Sequence, residues 1–142
     1  MKNRKTKLTT NLYLVWSQMI MSKNIHISAE FTIEKDNVKQ FKKLIKQMSN
    51  MVQANEPNTS VYEAYFSEDG TKCMVHETYT NSKAVLSHND SMASKTILPR
   101  IFNIAILDKL DVYGNPNKEL KNLLAGFNSQ IFNLYTGFNR EL

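Results

Sequence analysis

The stretch Asn55–His88 constrains the fold of this chain more than any other. Two runs of alternating residues, Thr59–Phe66 and Thr71–Thr80, are rich in β-branched and aromatic side chains and flank a Ser-Glu-Asp-Gly turn. Alternation with a period of two around a short Asp-Gly turn predicts a β-hairpin. The second run leads into Asn81–Ala84, a polar start that predicts a helix with His88 on its second turn.

The segments around the hairpin complete a recognisable order of elements. Asn24–Ile33 alternates between apolar and polar residues and predicts a first strand. Asp36 is expected to cap a helix over residues 37–54, whose apolar residues recur at helical spacing opposite a row of lysines. Ile104–Tyr113 predicts a fourth strand. The order βαββαβ predicts an α+β, ferredoxin-like fold, a four-stranded antiparallel sheet with helices on one face.

Proline and glycine set the expected ends of the later helices. A further helix is expected to run to about Leu98, where Pro99 would stop it. Asn117 predicts the cap of a last helix that ends at Ala125, before Gly126.

The alternation within the hairpin predicts which side chains share a face. Pairing Phe66 with Thr71 across the turn sets the expected register. We expect the helix-covered face to hold Tyr62, Ala64, Phe66, Cys73, Val75, Glu77 and Tyr79. The opposite face, expected to meet a second subunit, would hold Val61, Glu63, Tyr65, Met74, His76 and Thr78.

Charge and apolar content exclude two classes of partner. The net charge of +5 is concentrated in Lys2, Arg4, Lys5 and Lys7, and the remaining 14 basic and 13 acidic residues nearly cancel. A basic surface for nucleic acid is therefore not indicated. No apolar run approaches the roughly 20 residues of a membrane helix. The sequence predicts neither a nucleic acid nor a membrane as partner.

A single cysteine, Cys73, allows no internal disulfide and no cysteine-based zinc site. A reduced, cytoplasmic setting fits this content. No group of histidines and carboxylates has the spacing of metal ligands, so no metal is expected.

Three regions are expected along the chain. Residues 1–21 predict a disordered or weakly helical extension, or an over-long gene start, since Met21 is a second plausible start; a degenerate export signal is the alternative. Residues 22–114 form the predicted domain. Residues 115–142 predict a C-terminal helix and a tail rich in aromatic residues, which should pack on the domain or on a dimer partner.

A set of short motifs connects the chain to a known family. They are N-E-P at 55–57, Y-E at 62–63, S-E-D-G at 67–70, H-E-x-Y at 76–79 and A-V-L-x-H at 84–88. With them, residues 22–113 resemble the antibiotic biosynthesis monooxygenases of the dimeric α+β barrel superfamily. Residues 113–140 resemble the C-terminal extension of one uncharacterised branch of that family.

The resemblance implies a homodimer whose two sheets pack face to face, with a pocket in each subunit between sheet and helices. Characterised monooxygenases of this group oxidise quinol-like or polycyclic phenols with O₂ and use neither flavin nor metal, so a small aromatic or quinol-like substrate is expected. The deprotonated substrate itself reduces O₂, so the protein needs only to remove a proton, orient the substrate and exclude water. No cofactor is therefore expected.

The resemblance also implies roles for five residues. His88 would be the catalytic base or acid, and Glu77 would orient its imidazole or increase its basicity. Tyr62 and Tyr79 would bind substrate oxygens, and Phe66 would stack on the substrate ring. Three alternatives remain open. His88 could simply fill space, Glu77 could form a buried pair with Arg100, and the whole domain could be a non-catalytic, dimeric ligand-binding or stress-associated module.

Haem-degrading relatives are not matched. They carry an Asn on the first strand and a Trp and a His ten residues apart on the second helix. The corresponding residues here are Ala29, His88 and Leu98. The resemblance therefore does not extend to haem degradation.

Overall fold

The computed structural model describes Leu12 and residues 23–140 of the chain. Leu12 is helical and exposed. The rest of the predicted extension, residues 1–21, lies outside the described residues.

The sheet confirms the predicted ferredoxin-like plan and adds one strand to it. Its strands are β1 (Ile25–Ile33), β2 (Thr59–Phe66), β3 (Lys72–Tyr79), β4 (Ala105–Tyr113) and β5 (Gln130–Phe132). They lie in the order β2-β3-β1-β4-β5. The first four strands pair antiparallel, as expected, whereas β5 comes from the C-terminal tail and pairs parallel with β4.

Four α-helices accompany the sheet within the described residues. They are α1 (Val38–Asn55), α2 (Ser82–Asn89), α3 (Met92–Phe102) and α4 (Lys118–Ala125). The side chains of Asn81, Ser91 and Asn117 accept hydrogen bonds from the third residue beyond each of them. These N-caps satisfy backbone donors that have no partner within the helix, and they set the starts of α2, α3 and α4.

The core lies between one face of the sheet and the helices. Every second residue of β1, from Ile25 to Ile33, is at most 6% exposed. On α1 the buried side chains recur every three or four residues: Phe41, Leu44, Ile45, Met48 and Val52. Their spacing forms one apolar stripe that packs against the sheet. No helix in the described part of the chain is long and apolar enough to cross a membrane.

Two predicted helix boundaries are wrong. Asp36 does not cap α1, because it belongs to a short 3₁₀ turn, Lys35–Asn37, that precedes the helix. Pro99 does not end α3, which continues to Phe102. Pro99 lacks an N–H, so the helix loses the hydrogen bond to the carbonyl oxygen of Lys95, an exposed residue. Ile97 before the proline and Ile101 after it are both buried, and their packing keeps the chain helical.

The hairpin has the predicted faces but a different register. Phe66 pairs with Cys73 rather than with Thr71, and Tyr62 pairs with Glu77. The Asp69 carboxylate accepts hydrogen bonds from the backbone and hydroxyl of Thr71, which makes the turn longer than predicted. Because the shift is two residues, each side chain stays on its expected face.

A glycine directly after β4 allows the close approach of that strand's end to the start of β1 to be tested. Gly114 has φ +134°, and a Cβ atom there would lie 2.7 Å from the backbone oxygen of Asn24. The Gly114→Ala variant should therefore lose more unfolding free energy than the about 1–3 kcal/mol that a side chain costs at such a φ alone, measured by urea denaturation. Gly137→Ala is the matched control, since Gly137 has φ +139° but no atom within 4 Å of the added Cβ. Equal losses in the two variants would contradict the clash.

Candidate functional site

A cavity of about 100 Å³ lies between the sheet and the helices. The strands contribute Ile27, Ala29, Phe31, Val75 and Leu110, and the helices contribute Ile45, Val85, Leu98, Ile101 and Leu124, among other apolar residues. The polar residues on this otherwise apolar wall are Tyr62, Glu77, Tyr79, His88 and Asn89. The structure therefore brings together four of the five residues singled out in the sequence.

His88 is held by a carboxylate that the sequence analysis did not assign to the site. Its Nδ1 atom lies 2.7 Å from Oε2 of Glu56, and both side chains are only about a tenth exposed. The α2 helix carries His88, whereas Glu56 lies at the C-terminal end of α1, 32 residues earlier. The contact that was expected of Glu77 is thus made by Glu56.

The second ring nitrogen of His88 has a weaker contact. Ser94 Oγ lies 3.5 Å from Nε2, but the same hydroxyl donates at 2.6 Å to the backbone oxygen of His88. A hydroxyl has one proton, and the shorter bond uses it. Nε2 therefore receives no proton from Ser94.

Glu77 and Tyr79 form a second polar pair. The Tyr79 hydroxyl donates to Glu77 Oε2 at 2.6 Å. Burial raises the pKa of the Glu77 carboxyl, because an apolar surrounding disfavours its charged form. Burial also raises the pKa of Tyr62 and of Tyr79 well above the ordinary tyrosine value. Both phenols consequently keep their protons: Tyr79 donates its proton to Glu77, and Tyr62 can donate its proton to a ligand.

The aromatic rings are arranged around the imidazole. Ring centroids of Tyr62 and Tyr79 lie 6.0 and 5.6 Å from that of His88, both tilted. This packing restricts the rotation of the imidazole. The group of Glu56, His88, Glu77, Tyr79 and Tyr62 is called the His88 cluster below.

Phe66 is not brought to the cavity. Its ring packs edge-on against Phe41 at 5.9 Å, with Lys42 Nζ 4.9 Å from its centroid. The rings that do line the cavity include those of Phe31 and Phe102, which stack at 6.4 Å. Phe66 is the last residue of β2, beside the turn, and its ring packs on α1.

Arg100 does not pair with Glu77. It is exposed on the outer side of the helices, in a shallow depression with Asp36 and Lys43. The alternative of a buried Glu77–Arg100 pair is therefore wrong, since Glu77 accepts from Tyr79.

Two contributions to the site were missed in the sequence. Glu56 belongs to the N-E-P motif that the sequence analysis identified. Its contact with His88 was not predicted, because it depends on how α1 and α2 pack against each other. Phe102 was missed because α3 was expected to end before Pro99. In the described part of the chain, no group of three or more His, Cys, Asp or Glu side chains could hold a metal ion.

Comparisons with known proteins agree with this fold. The family model described as antibiotic biosynthesis monooxygenase matches residues 24–100. The crystal structure of MupZ from Pseudomonas fluorescens is 24% identical with a TM-score of 0.72, covering 83% of this chain and 95% of MupZ. A Caulobacter crescentus CB15 protein, provisionally described as an antibiotic biosynthesis monooxygenase, is 17% identical with a TM-score of 0.60, covering 72% of this chain and 99% of that one.

A third similar structure, a conserved protein from Methanosarcina mazei Go1, is 19% identical with a TM-score of 0.60, covering 69% of this chain and 98% of that one. At these identities the structural likeness shows the fold alone. A search of curated proteins found no match.

The raised pKa of Glu77 has a measurable consequence. The folded protein keeps a proton on Glu77 at pH values at which the unfolded chain has released it. The free energy of unfolding should therefore fall as pH rises from about 4 through the raised folded pKa. Glu77→Gln removes this titration, so the variant should gain stability relative to the wild type as pH rises, measured by denaturant unfolding at several pH values.

Glu68→Gln is the control for this prediction, since Glu68 is exposed in the hairpin turn. A stability difference between Glu77→Gln and the wild type that stays constant with pH would show that Glu77 titrates normally.

Proposed function

The chain belongs to the antibiotic biosynthesis monooxygenase family, and on that premise we propose that it is a cofactor-independent monooxygenase of a small aromatic or quinol-like substrate. The observation that supports this proposal most is the His88 cluster at the edge of an apolar cavity. An aromatic ring would lie against the apolar wall, and its hydroxyl or carbonyl oxygen would face the polar groups.

The proposed first step is removal of a proton from the substrate. His88, held at Nδ1 by Glu56, would accept the proton at Nε2 as general base. Tyr62 would donate a hydrogen bond to the substrate oxygen on which negative charge develops, whereas Tyr79, whose proton goes to Glu77, would contact the substrate from the cavity wall. The raised pKa of Tyr62 keeps its phenol protonated for this role.

The proposed second step is reaction of the substrate anion with O₂. Oxidation of a ring methylene to a carbonyl places one oxygen atom in the substrate and releases the other as water. The substrate supplies all four electrons that O₂ takes up. The apolar wall would shield the anion from water until O₂ reacts, which is the contribution the cavity can make to this step.

A non-catalytic, ligand-binding domain is the second candidate function. The observation that favours it is the wall of the cavity, which is apolar apart from a few side chains. Such a cavity would also bind an apolar molecule without changing it. A protein of this kind would be stabilised by its ligand and would consume no oxygen.

We also propose that the protein is a homodimer. The sheet face opposite the helices carries Tyr65, Met74 and His76, and Tyr65 is 53% exposed. Helices cover only the other face within the described residues, which leaves this face for a second copy. The buried, free Cys73 is consistent with a reducing, cytoplasmic setting, and burial raises the pKa of its thiol to about 11, which makes it unreactive.

Light scattering of the full chain at micromolar concentration tests the dimer. We expect a mass of twice the 16.4 kDa of one chain. Tyr65→Asp should weaken the dimer, because it would place two like charges near each other across a two-fold interface. A monomeric wild-type protein would contradict this proposal without bearing on the cavity.

Oxygen uptake tests the enzyme. Metal-free protein offered a panel of quinols and polyphenols should consume O₂, and His88→Ala should lower kcat by about 10²–10⁴-fold while the protein stays folded. His26→Ala is the matched control, since His26 binds Thr78 on the opposite face of the sheet. Absence of uptake over the panel, together with ligands that raise the melting temperature, would favour the ligand-binding domain instead.

A further inference from the structure

We propose that Glu56 is a positioning residue that holds His88 in the tautomer with its proton on Nδ1, so that Nε2 presents its lone pair to the ligand. The use of this arrangement in catalysis rests on the proposed function, but the tautomer itself does not. The inference concerns a residue that the N-E-P motif contains and to which the family resemblance gave no role.

The geometry of the Glu56–His88 pair indicates which nitrogen of His88 carries the proton. Glu56 Oε2 lies 2.7 Å from His88 Nδ1, a distance typical of hydrogen bonds that involve a charged group. An ionised carboxylate can only accept hydrogen bonds, so Nδ1 must be the donor. In the neutral imidazole the other nitrogen, Nε2, is then unprotonated.

The backbone around Glu56 fixes where its carboxylate lies. Its N–H donates to the carbonyl oxygen of Val52 in the last turn of α1. Its own carbonyl oxygen accepts from the N–H of Thr59 at the start of β2. The Thr59 hydroxyl also lies 3.3 Å from Oε2, the same oxygen that meets His88. The turn between α1 and β2 therefore holds the carboxylate at a defined place beneath α2.

The burial of Glu56 argues against a purely space-filling role. Its side chain is 11% exposed, and Oε1 is buried with no hydrogen-bond partner among the described residues. An unsatisfied buried oxygen destabilises the fold, and an apolar side chain would avoid that cost. The pair with His88 is the contact that compensates for it.

Neighbouring groups cannot take over the role of Glu56. Glu77 accepts from the Tyr79 hydroxyl at 2.6 Å. Ser94 gives its proton to the His88 carbonyl oxygen, so it neither fixes Nε2 nor acts as a nucleophile activated by His88. Glu56 orients the imidazole, while Glu77 and Tyr79 remain on the cavity wall.

The test is the tautomer of His88 in the free protein, measured by nitrogen-15 NMR of labelled histidine. The chain has three histidines, and His88→Ala assigns the signal. We expect Nδ1 protonated and Nε2 unprotonated in the wild type and in Glu68→Gln, an identical change at an exposed site. In Glu56→Gln the amide can donate to Nδ1, so the form with the proton on Nε2 should appear.

Kinetics give the second measurement. Glu56→Gln should lower kcat by about 100-fold with a much smaller change in KM, because the base is wrongly protonated while the cavity wall is intact. Glu68→Gln should leave both constants unchanged. A merely structural role for Glu56 would lower the melting temperature but would leave the tautomer as in the wild type.

The outcomes separate this inference from the proposed function. A wild-type His88 protonated on Nε2, or an unchanged tautomer in folded Glu56→Gln, overturns it. If Glu56→Gln does not fold, Glu56→Asp replaces it, since the shortened carboxylate should no longer hold Nδ1 and an unchanged tautomer again overturns the inference. Failure to find any oxidised substrate would defeat the monooxygenase proposal alone, since the NMR measurement needs no substrate.

Discussion

Hydrogen bonding of β1 on both of its edges is the constraint on which the rest of this structure depends. The strand pairs with β3 on one side and β4 on the other, and its alternation sends Ile25 through Ile33 into one apolar layer. Two hydrophobic clusters meet along it, one with Phe31 and one with Ile27. Ala29, which belongs to the cluster of Phe31, has a small side chain, and all three residues line the cavity. The space for a ligand thus arises over the central strand of the sheet, beneath the helices.

Burial of the polar groups of the His88 cluster costs free energy, and hydrogen bonds among its members offset part of that cost. Polar groups taken out of water destabilise a fold unless they find hydrogen-bond partners. His88 finds Glu56, and Glu77 finds Tyr79. The Glu56–His88 pair joins two distant segments of the chain, whereas Glu77 and Tyr79 are two residues apart on β3. The same contacts serve the stability of the fold and the chemistry that we propose.

Local patterns were sufficient for most of the fold. The first four strands, the helix starts at Asn81 and Asn117, and the face of each hairpin residue follow from alternation and from side chains that bond to nearby backbone. The same patterns brought Tyr62, Glu77, Tyr79 and His88 to one side of the sheet. They failed at the end of α3 and at the hairpin turn. Burial of Ile101 carries α3 past Pro99, and side-chain bonds of Asp69 lengthen the turn.

The sequence by itself determined the ferredoxin-like order of elements and the side of the sheet on which the candidate site lies, because periodicity and capping act over a few residues. Only the tertiary structure decided that Glu56 rather than Glu77 holds His88, that Phe66 packs on Phe41 outside the cavity, and that β5 extends the sheet beside β4. Each of these contacts joins residues far apart in the chain, and their partners are selected by the way that helices and strands pack. That packing depends on the shape and volume of the whole core, which no short stretch of sequence specifies.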